Sequence, residues 1–72
     1  MKVIEVVWFT NSRGCYGIVV GESELTKERK AFISLVSGND EVSDTQYALE
    51  YGAVFPVQMA QRLVELLTQG GT

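Results

Sequence analysis

Three runs rich in β-branched and aromatic residues, separated by short polar turns, constrain the fold of this chain most strongly. The runs span residues 2–10, 15–22 and 30–37. Such side chains favour strands, and short polar connections favour antiparallel pairing of neighbouring strands. The first turn is Asn11-Ser12-Arg13-Gly14, and the second has its tip at Thr26-Lys27. Because Asn and Gly suit tight turns, we expect a three-stranded antiparallel meander.

A first helix is predicted after the third strand. Ser43 followed three residues later by Gln46 has the spacing of a capping box, in which two side chains satisfy the free N–H groups of a helix start. Asp44 adds a negative charge near the positive helix end. Gly52 is expected to end this helix in the left-handed conformation.

A second helix is predicted over residues 57–68, where a wide apolar stripe repeats at helical spacing. Pro56 suits the first turn of this helix, because its missing N–H has no partner there. Residues 53–55 are expected to be a short connector, and residues 69–72 a frayed tail.

The predicted fold class is α+β, with the two C-terminal helices on one face of the three-stranded meander. Residues 1–72 form one domain at this length. A single cysteine excludes an internal disulfide, and a chain of this size often needs a partner subunit for stability. The other sheet face is apolar and uncovered in this arrangement, so a homo-oligomer is expected.

Charge and hydropathy exclude two classes of partner. The chain has a net charge of −3, and its six basic residues are scattered along the sequence. A protein that binds a nucleic-acid polymer gathers Lys and Arg on one face. The longest apolar runs are far shorter than the roughly 18 residues a membrane helix needs. We therefore expect no nucleic-acid polymer and no membrane as partner, and a cytoplasmic location.

Catalysis is not expected, because the chain contains no histidine and no obvious pair of a nucleophile and a base. Cys15 follows Arg13 closely, but a small buried residue in a strand is the simpler interpretation. Asp40, Glu41 and Asp44 have the ligand type of a hard cation. Charge at a helix start beside a solvated loop is the commoner explanation for such residues, so neither a metal nor a cofactor is predicted.

The stretch around the first turn is the candidate ligand site. Arg13 can pair with an anion, and aromatic rings on both sides of the turn can stack on a nucleobase. Tyr47 lies four residues before Tyr51, so the two rings share a helix face that could close a pocket against the sheet. The alternative is an ordinary turn with core aromatics beside it. The candidate ligand-binding residues are Trp8, Thr10, Asn11, Ser12, Arg13, Tyr16 and Tyr47.

Short blocks spread over roughly residues 3–56 also carry a resemblance. The blocks are Val6-Val7-Trp8-Phe9-Thr10, Gly17-Ile18-Val19-Val20, Glu24-Leu25-Thr26-Lys27-Glu28, Lys30-Ala31-Phe32-Ile33, Asp44-Thr45, Tyr51-Gly52-Ala53 and Phe55-Pro56. In this pattern the chain resembles small phage-encoded anti-defence proteins that act as nucleotide sponges. It departs from the pattern at Thr26-Lys27, where Thr-Gly is expected.

The resemblance implies a protein that binds a nucleotide second messenger of bacterial immunity, of the CBASS or Thoeris type, without cleaving it. It also implies a homo-oligomer in the cytoplasm of an infected bacterium. The alternative is a protein–protein inhibitor or adaptor that engages a host defence enzyme. Such a protein would use the exposed sheet face or the acidic loop of residues 40–44.

Overall fold

The chain forms a four-stranded antiparallel sheet and two helices in a computed structural model that describes residues 1–69, with only the backbone described for 67–69. Along the chain these are β1 (Lys2–Asn11), β2 (Gly14–Glu22), β3 (Arg29–Val36), α1 (Glu41–Tyr51), β4 (Ala53–Pro56) and α2 (Val57–Gln69). The strand order in the sheet is β1-β2-β3-β4. The predicted α+β class and the antiparallel meander are confirmed. Residues 70–72, most of the predicted tail, lie outside the described residues.

The predicted connector between the helices is a fourth strand, so the expectation of three strands is wrong. β4 pairs with β3 in a register that sets Ala53 opposite Ile33 and Pro56 opposite Lys30. Pro56 is the last residue of this edge strand and stands immediately before α2. A proline is tolerated there because an edge strand leaves one row of N–H positions unpaired.

The two helices cover opposite faces of the sheet, and the expectation that both cover one face is also wrong. Val19 and Phe32 pack with Ala48 of α1, whereas Ile18 packs with Ala60 of α2. Ile18 and Val19 are neighbours in one strand, so their side chains point to opposite faces. The physical reason is β4, which carries the chain along the sheet edge between the two helices. The predicted bare sheet face therefore does not exist.

Helix α1 begins three residues earlier than predicted, because its N-cap is Asp40 and not Ser43. The Asp40 carboxylate accepts hydrogen bonds from Val42 N at 3.0 Å, from Ser43 N at 3.5 Å and from Ser43 Oγ at 2.9 Å. The Ser43 hydroxyl is thus a donor to the cap and is not itself the cap. Ser43 lies inside the first turn.

Gly52 ends α1 in an extended conformation, with φ −67° and ψ 153°, so the predicted left-handed cap is wrong. Its N–H donates to Ala48 O at 2.8 Å. A Cβ at this position would collide with that same carbonyl and lie 3.1 Å from Ile33 O. Glycine is required here because two backbones approach each other closely.

The turn between β2 and β3 contains Thr26-Lys27, where the resemblance to nucleotide sponges led us to expect Thr-Gly. Lys27 has φ +62°, a left-handed conformation that is costly for a residue with a side chain. Ser23 closes the turn, since its N–H donates to Glu28 O and its carbonyl accepts from Lys27 N, both at 2.9 Å. A glycine at position 27 would adopt this backbone without strain.

We therefore expect Lys27→Gly to raise the free energy of unfolding by about 0.5–1 kcal/mol, since relief of the left-handed strain exceeds the added entropy of the unfolded chain. Urea unfolding at neutral pH measures the change. Glu24→Gly is the matched control, because Glu24 lies in the same turn with a negative φ, and this variant should lower stability. Equal effects of the two substitutions would contradict the argument.

Candidate functional site

The tip of the β1–β2 hairpin is a two-residue turn formed by Ser12 and Arg13, both exposed. Asn11 Oδ1 accepts a hydrogen bond from Arg13 N at 2.8 Å and so fixes the turn from its first residue. Gly14 has φ +140°, and a Cβ there would lie 2.9 Å from Leu35 Cδ2. The described residues contain one ion pair, between Arg29 and Glu22. Within them the guanidinium of Arg13 therefore has no carboxylate partner.

The sheet separates the aromatic residues of the predicted site. Trp8 pairs with Gly17 across β1 and β2, and Phe9 pairs with Tyr16. The Phe9 and Tyr16 rings stack at 5.4 Å between centroids with 11° between their planes. Phe9 packs against Ile18 on the α2 side, so Trp8, its neighbour in the strand, points to the α1 side. The expectation that Trp8 and Tyr16 line one wall is therefore wrong, because adjacent register pairs alternate between faces.

The Trp8 ring packs directly against Gly17. A Cβ at position 17 would lie 2.5 Å from Trp8 Cζ3 and 3.0 Å from Cε3. A glycine inside a strand often marks a bulge or a close approach by another group. The close approach at Gly17 is made by an indole from the neighbouring strand. The bulge lies instead in β1, between Val3 and Glu5.

A cleft opens between the α1 side of this hairpin and the start of α1, and we call it the hairpin-end cleft. It consists of two adjoining hollows of about 300 and 350 Å³ that share Asp44 as a wall. The first hollow is lined by Trp8, Cys15, Gly38, Asn39, Glu41 and Asp44. The second is lined by Leu35, Val36, Ser37, Ser43, Asp44 and Tyr47. Each is at the lower end of the size range of small-molecule sites.

The cleft brings together some of the predicted residues and leaves others out. Trp8 and Tyr47 line its two hollows. Thr10 lies on the same face of β1 as Trp8, because the two are two residues apart in the strand. Arg13 stands at the hairpin tip beyond Thr10, together with Asn11 and Ser12. Tyr16 faces α2 and does not belong to the cleft.

Asp44 holds the wall of the cleft in place. Among the described residues Asp44 is the one charged residue that is buried, with 6% of its surface exposed. Its carboxylate accepts hydrogen bonds from Ser37 Oγ at 2.8 Å, Gly38 N at 2.9 Å and Ser37 N at 3.4 Å. The sequence suggested a helix-end charge or a cation ligand for Asp44. The structure adds that it ties the loop after β3 to the first turn of α1.

The α1 end of the cleft is negatively charged. Hydrogen bonds from the Ser43 hydroxyl and from the N–H groups of Ser43 and Val42 hold the pKa of Asp40 below its ordinary value. Asp40 is therefore ionised at neutral pH and stands next to Glu41. Within the described residues, no three acidic, cysteine or histidine side chains are grouped to hold a metal ion. The acidic residues act here as a helix cap and a loop tether.

Tyr47 and Tyr51 share a helix face as predicted, with ring centroids 4.9 Å apart and 44° between their planes. Their exposed fractions are 49% and 67%, so neither ring is part of the core. Tyr47 borders the second hollow beside Leu35. Tyr47 is thus accessible to a ligand in the second hollow, which Tyr51 does not line.

Several cleft residues were missed by the sequence reasoning. Those absent from the predicted ligand-binding set are Cys15, Leu35, Val36, Ser37, Gly38, Asn39, Glu41, Ser43 and Asp44. The signal that could have found the loop is the Gly38-Asn39-Asp40 break, in which Gly38 has φ +75°. A Cβ on Gly38 would lie 3.4 Å from Cys15 Sγ, which shows how closely the loop packs against β2.

We expect Gly17→Ala to displace the Trp8 ring and to destabilise the protein by about 1–3 kcal/mol, the range for overpacking. Trp8 is the single tryptophan, so its emission spectrum reports the displacement directly. In a Trp8→Ala background the same glycine substitution should cost clearly less, because the collision partner is gone. Additive losses of stability in this cycle would show that the Trp8 indole does not pack against Gly17.

Asp44→Asn is expected to lower the free energy of unfolding by about 1.5–3 kcal/mol, because an amide nitrogen cannot accept the hydrogen bonds that a carboxylate oxygen accepts. Chemical unfolding measures the loss. The control is Glu50→Gln on the same helix, since Glu50 is exposed and its neutralisation should have little effect. Equal stability of Asp44→Asn and the native chain would contradict the tether.

The helices of the described chain include none that is long and apolar enough to cross a membrane. Comparison with protein-family models, curated proteins and solved structures gave no significant match. The functional argument for this chain therefore starts from the chemistry of the hairpin-end cleft.

Proposed function

We propose that this protein binds and sequesters a nucleotide-type signalling molecule in the hairpin-end cleft and does not cleave it. The observation that carries the proposal is the indole of Trp8, which is held on Gly17 and lines the first hollow, while Tyr47 lines the second hollow on the other side of Asp44. A purine or pyrimidine ring stacked on such a side chain gains about 1–3 kcal/mol.

The charges around the cleft suit the two ends of a nucleotide. Glu41 lines the first hollow, and its carboxylate can accept a hydrogen bond from the exocyclic amino group of a base. A phosphate is disfavoured at this acidic end and favoured at Arg13, whose guanidinium has no carboxylate partner in the described chain. At about 3.3 Å per strand residue, the hairpin tip lies on the order of 10 Å from Trp8. That span accommodates a base at one end and a phosphate at the other.

The inventory of the cleft supports binding without turnover. Its hydroxyl and thiol groups, Ser37, Ser43 and Cys15, have no histidine beside them, because the chain contains none. Asp44, the buried carboxylate of the cleft, is engaged by the loop that it holds. A sponge requires tight binding alone, and its proposed place of action is the cytoplasm of an infected bacterium.

A second candidate function is favoured by one specific observation. Val42 is 67% exposed in the acidic first turn of α1, beside the exposed Asp40 and Glu41. An apolar side chain framed by carboxylates suits a basic patch on a host protein, so the loop could act as a protein–protein inhibitor. The version of this idea that used a bare sheet face loses its premise, because each face carries a helix.

Titration calorimetry with cyclic dinucleotides, ADP-ribose and cyclic ADP-ribose derivatives tests the proposed function. We expect one ligand class to bind, to quench Trp8 emission and to be recovered unchanged. Arg13→Ala should weaken binding by about 1.5–3 kcal/mol, the value of a hydrogen bond to a charged group. Arg62→Ala is the matched control, since Arg62 is an exposed arginine on α2 away from the cleft.

Three outcomes would count against parts of the proposal. The absence of binding across the whole panel would favour the protein–protein function, which capture of a host enzyme by the native chain but not by a Val42→Lys variant would support. An unchanged dissociation constant for Arg13→Ala would remove Arg13 from the site. Conversion of the ligand would replace sequestration by catalysis.

A further inference from the structure

The outer edge of β1 has no partner within the described chain. β1 stands first in the strand order and pairs only with β2. It is ten residues long, whereas β4 at the opposite edge has four residues and ends in Pro56. A short strand closed by proline is a protected edge, and a long open strand is a template for another strand.

The protection of the β1 edge is confined to its first half. Lys2 and Glu5 carry charges there, and the bulge between Val3 and Glu5 interrupts the ladder. Charged residues and bulges are the usual means by which proteins prevent strand addition. Residues 6–10 contain no charge, no proline and no bulge, so this half of the edge is open.

The hairpin register identifies the backbone groups that point outward. Asn11 and Gly14 close the two-residue turn, and such a closing pair exchanges hydrogen bonds. Hydrogen-bonded and non-hydrogen-bonded pairs alternate along an antiparallel ladder. The N–H and C=O groups of Val6, Trp8 and Thr10 are therefore directed away from β2.

Two largely apolar grooves flank this edge, one on each face of the sheet, and each also carries one carboxylate, Glu41 on the α1 side and Glu5 on the α2 side. On the α1 side a groove of about 420 Å³ lies between Val6 of β1 and Val42 and Leu49 of α1. On the α2 side a groove of about 410 Å³ lies between Val7 of β1 and Val64 of α2. The side chains of an added strand alternate between the two faces, so they would enter both grooves.

The occupant that fits this surface is β1 of a second copy. Its residues 6–9 are apolar on both faces, which matches two largely apolar grooves, and antiparallel self-pairing about a twofold axis gives each copy the same contacts. A standard protein–protein interface buries about 800 Å² on each partner. The accessible surface of one copy of this chain is 4927 Å². We propose that the protein dimerises by antiparallel pairing of the two β1 edges into one eight-stranded sheet.

The first test is the mass in solution. Light scattering of the native chain should give twice the 8.0 kDa of the monomer. Thr10→Pro removes an outward N–H at an exposed position and should shift the mass to that of the monomer while the circular dichroism spectrum is kept. Thr10→Val is the matched control, because it has nearly the same shape and retains the N–H, and it should remain dimeric.

Cysteine cross-linking locates the interface even if Thr10→Pro fails to fold. In a Cys15→Ser background, single cysteines at positions 5–10 should form a disulfide-linked dimer only near one residue, the one on the twofold axis. Ala53→Cys on the exposed opposite edge should give none. A monomeric native chain at millimolar concentration would overturn the proposal. Cross-linking through β4, or loss of the dimer in Met59→Glu on the exposed side of α2 with the β1 cysteines unreactive, would also overturn it.

Discussion

The burial of β2 on both faces is the constraint on which the rest of this small protein depends. Ile18 and Val19 are the largest fully buried side chains of the described residues, and they point in opposite directions. A chain of this size has few residues with which to build a core. It places them on one central strand and covers each side with one helix. Small residues at the contacts, Ala48 and Ala60, let the helices approach the sheet closely.

The strands could be predicted from the sequence because β-branched residues cluster in them and polar turns separate them. β4 could not, since four residues that end in a proline carry too little pattern to distinguish a strand from a connector. The start of α1 was misplaced because Asp40 and Ser43 are both good caps, and only the structure shows that the serine donates to the aspartate. The covered faces followed from β4, so one missed strand produced two wrong expectations.

The candidate site could be predicted from the sequence only in part. The composition of the hairpin tip indicated Trp8 and Arg13, and the helical spacing to Tyr51 indicated Tyr47, but the faces of the strands decide which side chains meet. The period of two along a strand separates Trp8 from Tyr16. The loop after β3 lines the cleft because Ser37 and Gly38 donate hydrogen bonds to Asp44 of α1, and such a bond between a loop and a helix has no fixed spacing in a sequence. The resulting cleft has an acidic end at α1, and Arg13 stands outside its two hollows at the hairpin tip.

The strand order of the sheet has a consequence for the way in which the chain folds. Each strand pairs with the next one along the sequence, so no strand waits for a distant partner before it can join the ladder. Loop closure costs little entropy when the connections are short, as they are between β1 and β2 and between β2 and β3, and a smaller sequence separation between pairing partners favours faster folding. The two hairpins can form in succession, and α2 can dock last, after β4 has closed the edge. A rapid search of this kind leaves partly folded states, with their open strand edges, little time to meet one another.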